Sequence, residues 1–199
     1  MEVVSLRKFV ILMTAIALVA FAAVALAASG KMKAMPGVYD PDKTKSVDAS
    51  WQAKAGLPDA GNSNHGLVLV KSSPTPTNAA AGASLTGAEG EVVQSGASFG
   101  WDYKTGTYCG AGAPRMNLEA TDGFHFLGGC ANGTQSATPG ATGWNRVRID
   151  PTNPAQAFPV VAPGATIISV TLIQDEQGSA LVDNILVNNN SPIQKPGNN

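Results

Sequence analysis

Arg146 and Arg148 follow Trp144 at intervals of two residues, the period at which a β-strand returns side chains to one face. If Val147 and Ile149 turn to a core, Trp144, Arg146, Arg148 and Asp150 share the opposite face. The segment Arg115–Glu119 repeats the pattern, since inward Met116 and Leu118 leave Arg115 and Asn117 outward. Inward Phe124 and Phe126 would leave His125 outward as well. One sheet face then gathers Arg115, His125, Trp144, Arg146 and Arg148. Guanidinium forks beside an indole suit hydroxyl-rich or carboxylate-bearing ligands, through hydrogen bonds and ring stacking. The alternative is a solvated face whose arginines pair with Asp102, Glu119 or Asp150.

Catalytic chemistry is poorly supplied. Only His65 and His125 offer imidazoles, and there is no Gly-x-Ser-x-Gly elbow, His-Glu-x-x-His helix or phosphate-cradling glycine loop. Asp175 and Glu176 are adjacent at a strand end, where their side chains diverge, and are expected to form a solvated turn leading into Gly178. Phe99, Trp101 and Tyr103 share a face at period two; in a chain with 6 Phe, 3 Trp and 3 Tyr they are expected in the core. Asp183 has the parity of Leu181, Ile185 and Val187, so it is expected among core positions, where a carboxylate needs hydrogen bonds or a cation.

The elements that must carry these residues are short. With 22 Gly and 13 Pro in 199 residues, the chain is punctuated beyond the usual share of about 12 %, and long helices have little room. The apolar runs are β-branched or aromatic and separated by turns, which predicts an all-β fold: a single β-sandwich of jelly-roll type with about nine strands. The clearest strand is Thr166–Gln174, where Ile168, Val170 and Leu172 alternate with Ser169 and Thr171. Others are expected at Val47–Ala53, Leu67–Lys71, Glu91–Gln94, Ser98–Lys104, Arg115–Glu119, Phe124–Leu127, Asn145–Asp150 and Ala180–Val187. Ser72–Gly90 reads as a long surface loop in which Asn78–Ala81 could make one helical turn.

Residues 1–27 read as a signal peptide: Arg7-Lys8 give a positive start, Phe9 to Ala28 is apolar, and Ala25-Leu26-Ala27 is a small-x-small cleavage pattern. Uncleaved, the same run could serve as an anchor, and only then is membrane contact expected. Residues 28–45 read as a linker, 46–187 as the sandwich domain and 188–199 as a disordered tail. Export makes a bridge the expected state of the two cysteines, Cys109 and Cys130, one disulfide clamping the open end of a hairpin whose turn, Ala120-Thr121-Asp122-Gly123, carries the Asp-Gly pair that hairpins favour. A formal net charge of −1 with 14 % charged residues provides no basic field, so nucleic acid is excluded as an expected partner.

The ending Val182-Asp183-Asn184-Ile185-Leu186-Val187 resembles the closing strand of secreted jelly-roll domains, the galactose-binding-like and carbohydrate-binding-module sandwiches. In several such families an acidic residue on that strand helps hold a structural calcium ion, and the resemblance implies this role for Asp183. A longer likeness runs through Gly56-Leu57-Pro58-Asp59, Asn78-Ala79-Ala80-Ala81-Gly82, Phe99-Gly100-Trp101-Asp102-Tyr103, Cys109-Gly110-Ala111-Gly112-Ala113-Pro114-Arg115 and Gly143-Trp144-Asn145-Arg146-Val147-Arg148. It is similar to a group of uncharacterised secreted bacterial β-sandwich proteins, and implies secretion, a sandwich and a disulfide. The expectation is therefore a secreted, non-catalytic protein at or outside the cell surface, binding a glycan or cell-surface polymer. Its ligand site is expected at Arg115, Trp144, Arg146 and Arg148, with no cofactor beyond structural calcium. The alternative is a structural or adhesive envelope component that meets other protein copies.

Overall fold

The computed structural model describes residues 31–59 and 61–194; the signal-peptide reading of residues 1–27 lies outside the described residues. The fold is all-β. Among the described residues twelve strands run in chain order: β1 (Lys33–Tyr39), β2 (Val47–Gln52), β3 (Gly66–Lys71), β4 (Ala80–Thr86), β5 (Phe99–Lys104), β6 (Arg115–Ala120), β7 (Gly123–Gly128), β8 (Thr134–Ala137), β9 (Trp144–Ile149), β10 (Ala157–Phe158), β11 (Ile167–Gln174) and β12 (Gly178–Leu186). They form two antiparallel six-stranded sheets, ordered β1-β4-β11-β6-β7-β10 (the first sheet) and β2-β3-β12-β5-β9-β8 (the second). Their inner faces share one core that includes Phe99, Trp101, Leu118, Leu127, Val147 and Leu172. Phe99 and Trp101 are fully buried and Tyr103 nearly so, as a period-two aromatic row in a small sandwich requires.

Four strands, β1, β4, β8 and β10, add to those expected. β4 lies inside the stretch read as a loop: its alternating Ala81, Ala83 and Leu85 face inward, but small side chains carry a weak strand signal. Gly82 is needed there, because a Cβ would sit 2.7 Å from the Leu172 carbonyl oxygen of β11. β1 lies inside the expected linker and tolerates Pro36 because it is an edge strand; the Trp51 indole donates to its Ala34 carbonyl at 2.9 Å. The expected tail is packed as far as Gln194. Ile193 is fully buried against Ile185, and Asn188 and Asn190 both donate to Glu91. Glu91–Gln94, expected as a strand, makes only a single bridge, Val92 to Thr166.

Two bulges reset side-chain parity. In β11 the register shifts between Ile167 and Ser169, so Ile167 and Val170 both face inward while Ile168 stands out. In β12 it shifts after Asp183, where Asn184 adopts φ 46°; Val182 and Ile185 are both buried as a result. Cys109 and Cys130 are bonded, 21 residues apart, across the base of the β6–β7 hairpin.

Candidate functional site

Trp144, Arg146 and Arg148 do share the outer face of the second sheet, but they serve that sheet rather than solvent. β9 pairs with β5 so that Arg146 lies opposite Asp102 and Trp144 opposite Lys104. Arg146 donates from Nε at 3.0 Å and Nη2 at 3.2 Å to the fully buried Asp102 carboxylate, and Asn184 adds a third donor at 2.8 Å. Arg148 Nη1 lies 3.7 Å from the same carboxylate and donates to the Val147 carbonyl at 2.7 Å. Trp144 is only 6 % exposed, with Lys104 Nζ 5.6 Å from its ring centroid. The indole thus offers no open stacking surface. Arg115 lies on the outer face of the other sheet and His125 points into the core, so the expected five-residue face does not form.

Asp183 is buried, but on the outer side of its sheet, directly opposite Asp102 and beneath the loop between β2 and β3. The bulge at Asn184 is why its parity differs from that of Ile185. Its Oδ2 accepts from Leu57 N and its Oδ1 from Asn184 N, both at 2.6 Å. Gly56 allows this approach: a Cβ there would lie 2.0 Å from the His65 carbonyl oxygen and 2.5 Å from Asp183 Oδ2. Burial pushes the Asp183 carboxyl up to about 7; the amides of Leu57 and Asn184 oppose the shift, and the Asp102 and Asp59 charges add to it. Asp59 goes the other way. Burial works against its ionisation, but hydrogen bonds from the His65, Asn64 and Ser63 region outweigh it and hold the carboxyl well below the usual range. Calcium takes six to eight oxygens, and each of the three carboxylates here is engaged by amides or guanidinium groups. Among the described residues no group of three or more His, Cys, Asp or Glu could hold a metal ion.

The open chemistry lies on the first sheet. The β6–β7 register sets Glu119 opposite Phe124 and Asn117 opposite Phe126, which turns both phenyl rings outward and His125 inward. His125 bonds through Nδ1 to the Pro159 carbonyl at 2.9 Å and through Nε2 to Asp122 at 3.0 Å. Asp122 also accepts from Ala162 N at 2.7 Å, so the two residues pin the segment carrying β10 onto β7. Burial opposes ionisation of Asp122, but the Ala162 amide and His125 hold its carboxyl below the usual range.

That pinning places Phe158, 75 % exposed, directly opposite Phe126, 40 % exposed. Phe124 meets Phe126 edge-to-face at 5.1 Å. A shallow groove of about 330 Å³ lies between Phe126, Phe158, Arg115 and the glycines of Gly112 and Gly128-Gly129. Arg115 braces it: the guanidinium forms a bidentate pair with Asp175 at 2.7 Å, donates to the Gly112 carbonyl and Asn117, and lies 5.2 Å from the Phe126 ring centroid. Glu176 accepts from Tyr108 Oη at 2.8 Å and Ala113 N at 3.1 Å, so the loop 108–114 folds around it. The hydrogen bond to Glu176, with burial and the nearby carboxylates, raises the Tyr108 phenol above its ordinary value. Asp175 and Glu176 therefore anchor Arg115 and the loop 108–114 beside the groove rather than forming a solvated turn.

No protein-family model matches this chain, and no curated protein does. Of the residues expected from sequence only Arg115 belongs to the groove; Phe126 and Phe158 were missed. A signal for Phe126 was present in the chain as the aromatic pair Phe124 and Phe126 flanking a histidine; Phe158 carries no such local signal.

Proposed function

We propose that this chain is a secreted, non-catalytic binding protein that holds a glycan on the outer face of the sheet containing β6 and β7, at or outside the cell surface. The observation that carries the reading is the register pair Phe126–Phe158, two exposed phenyl rings bordering an open groove braced by Arg115. Flat apolar rings accept the C–H faces of sugars, while the rim supplies carbonyl, amide and guanidinium groups for hydroxyls. The apolar leader and the Cys109–Cys130 bridge support an exported location. A broad glycan array, followed by calorimetry on the best ligand, tests the proposal. Phe126→Ala and Phe158→Ala are expected to weaken binding about tenfold each, corresponding to about 1.4 kcal/mol, with the circular dichroism spectrum unchanged. Retained affinity in the double variant refutes this site.

A second reading is an adhesive envelope component, favoured by the exposure of Phe124, Phe158 and Val160 along the β7–β10 rim. Concentration-dependent self-association abolished by Phe158→Ala, with no glycan bound on the array, would select it.

A further inference from the structure

A second groove, of about 240 Å³, opens on the same outer face over β1, β4 and β11, between Tyr39 and Ile173. The ladder joins it to the first. Gly37 lies opposite Gly82, Gly82 opposite Ile173, Ile173 opposite Arg115, and Arg115 opposite Gly128. The neighbouring row runs Met35, Ser84, Thr171, Asn117, Phe126 and Phe158. Directly opposed residues of an antiparallel ladder point to one side, so both rows stand on the outer face. The two grooves are the ends of one track laid across all six strands. Tyr39, 62 % exposed, stands at one end and Phe126 with Phe158 at the other; the hydroxyls of Ser84 and Thr171 and the amide of Asn117 lie between. Six strands at about 4.8 Å spacing make the track about 24 Å long.

Charge narrows the occupant. Among the residues of these two rows only Arg115 is charged, and Asp175 takes it bidentately, leaving no unpaired cation along the track for an anionic polymer. The row of hydroxyls and an amide between aromatic ends matches the hydroxyl edges and C–H faces of a sugar chain. We propose that the track binds a neutral, unbranched polysaccharide running across the strands and occupying both grooves at once. This rests on the glycan reading above and specifies its ligand class and orientation.

Gly37 supplies the test. A Cβ added there meets nothing within 4 Å, so a larger side chain fills the second groove without displacing the fold. The probes are linear oligomers of glucose, mannose and xylose from disaccharide to hexasaccharide, with oligogalacturonates of the same lengths as the anionic set. For the neutral sugar that binds, affinity is expected to rise about tenfold with length. Gly37→Leu and Tyr39→Ala should each remove that rise and leave disaccharide binding intact, whereas Phe158→Ala should weaken every length. If Gly37→Leu and Tyr39→Ala leave hexasaccharide affinity unchanged, the spanning mode is wrong while the Phe126–Phe158 site stands. If oligogalacturonates bind as tightly as neutral chains, the neutral class is wrong. If no oligomer binds the wild-type protein, both this inference and the glycan reading fall.

Discussion

The buried Asp183 carboxyl makes stability depend on pH in a direction opposite to most carboxylates. Its folded value is pushed up to about 7 from an ordinary 3.8, so between these limits the folded chain holds a proton that the unfolded chain releases. The associated stability is present at low pH and is lost as pH rises through about 7. From pH 5 to pH 8 the loss comes to about 3 kcal/mol, at 1.36 kcal/mol for each pH unit in which only the folded state binds the proton. Asp59 and Asp122, whose carboxyls are held low, contribute in the opposite sense and only at more acid pH, outside this window. Urea unfolding of wild type and Asp183→Asn across pH 5 to 8 isolates the effect, because His65, Asp102, Arg146 and Arg148 are common to both proteins. The amide sets an N–H against either the Leu57 or the Asn184 donor, so the variant is less stable at pH 5. The gap should then narrow by about 3 kcal/mol as wild type deprotonates. Parallel curves would refute the reasoning and would mean that the carboxylate is hydrated or neutralised by a cation. Calcium and chelator titrations distinguish these, since a slope that appears only after chelation would place a metal at Asp183.

Replacing both Cys109 and Cys130 by Ala should cost about 3 kcal/mol in denaturant unfolding, from the chain entropy of a loop closed over 21 residues. Trp144→Ala should cost about 3 kcal/mol of stability, since the indole is covered, yet leave glycan affinity unchanged; a binding loss without a stability loss would return the site to the second sheet. Glu176→Gln keeps an acceptor for Tyr108 and Ala113 but removes the charge, so ultraviolet titration should show the Tyr108 phenol moving down toward its ordinary value. An unmoved titration would mean that Glu176 does not contact the ring hydroxyl.

The class of the fold was legible because it rests on signals that survive local error. The β-branched and aromatic runs gave strands, and the inward Phe99-x-Trp101-x-Tyr103 row and outward Arg146 and Arg148 followed from period two. What failed was parity wherever an extra residue enters the ladder. A bulge leaves no compositional mark, so Asp183 was placed with Ile185 although Asn184 intervenes at φ 46°. Strands built from small residues were also hidden: β4 buries Ala81, Ala83 and Leu85 against β11 and β1, and only tertiary packing makes them core. The ion pair Arg115–Asp175 joins residues 60 apart in sequence, and no local pattern announces it.

The hairpin error bears most directly on function. The turn forms at Ala120–Gly123 as expected, since Gly123 pairs with Ala120 and the two-residue loop is Thr121-Asp122; the error lies in which residues of β7 face inward. A two-residue loop there sets Leu118 opposite His125 and Met116 opposite Leu127, so with Met116 and Leu118 inward it is His125 and Leu127, not Phe124 and Phe126, that face the core. The assignment burying two phenylalanines and exposing one histidine is favoured by transfer energies, yet the fold adopts the reverse. It can do so because His125 is satisfied on both nitrogens and Asp122 ties down the β10 segment through Ala162. The protein thus spends a buried polar network to keep Phe124 and Phe126 in water beside Phe158. A local choice that opposes hydrophobic burial, held in place by specific hydrogen bonds, leaves three phenyl rings exposed together, and this is why the groove on this sheet is proposed over the arginine-rich face of the other.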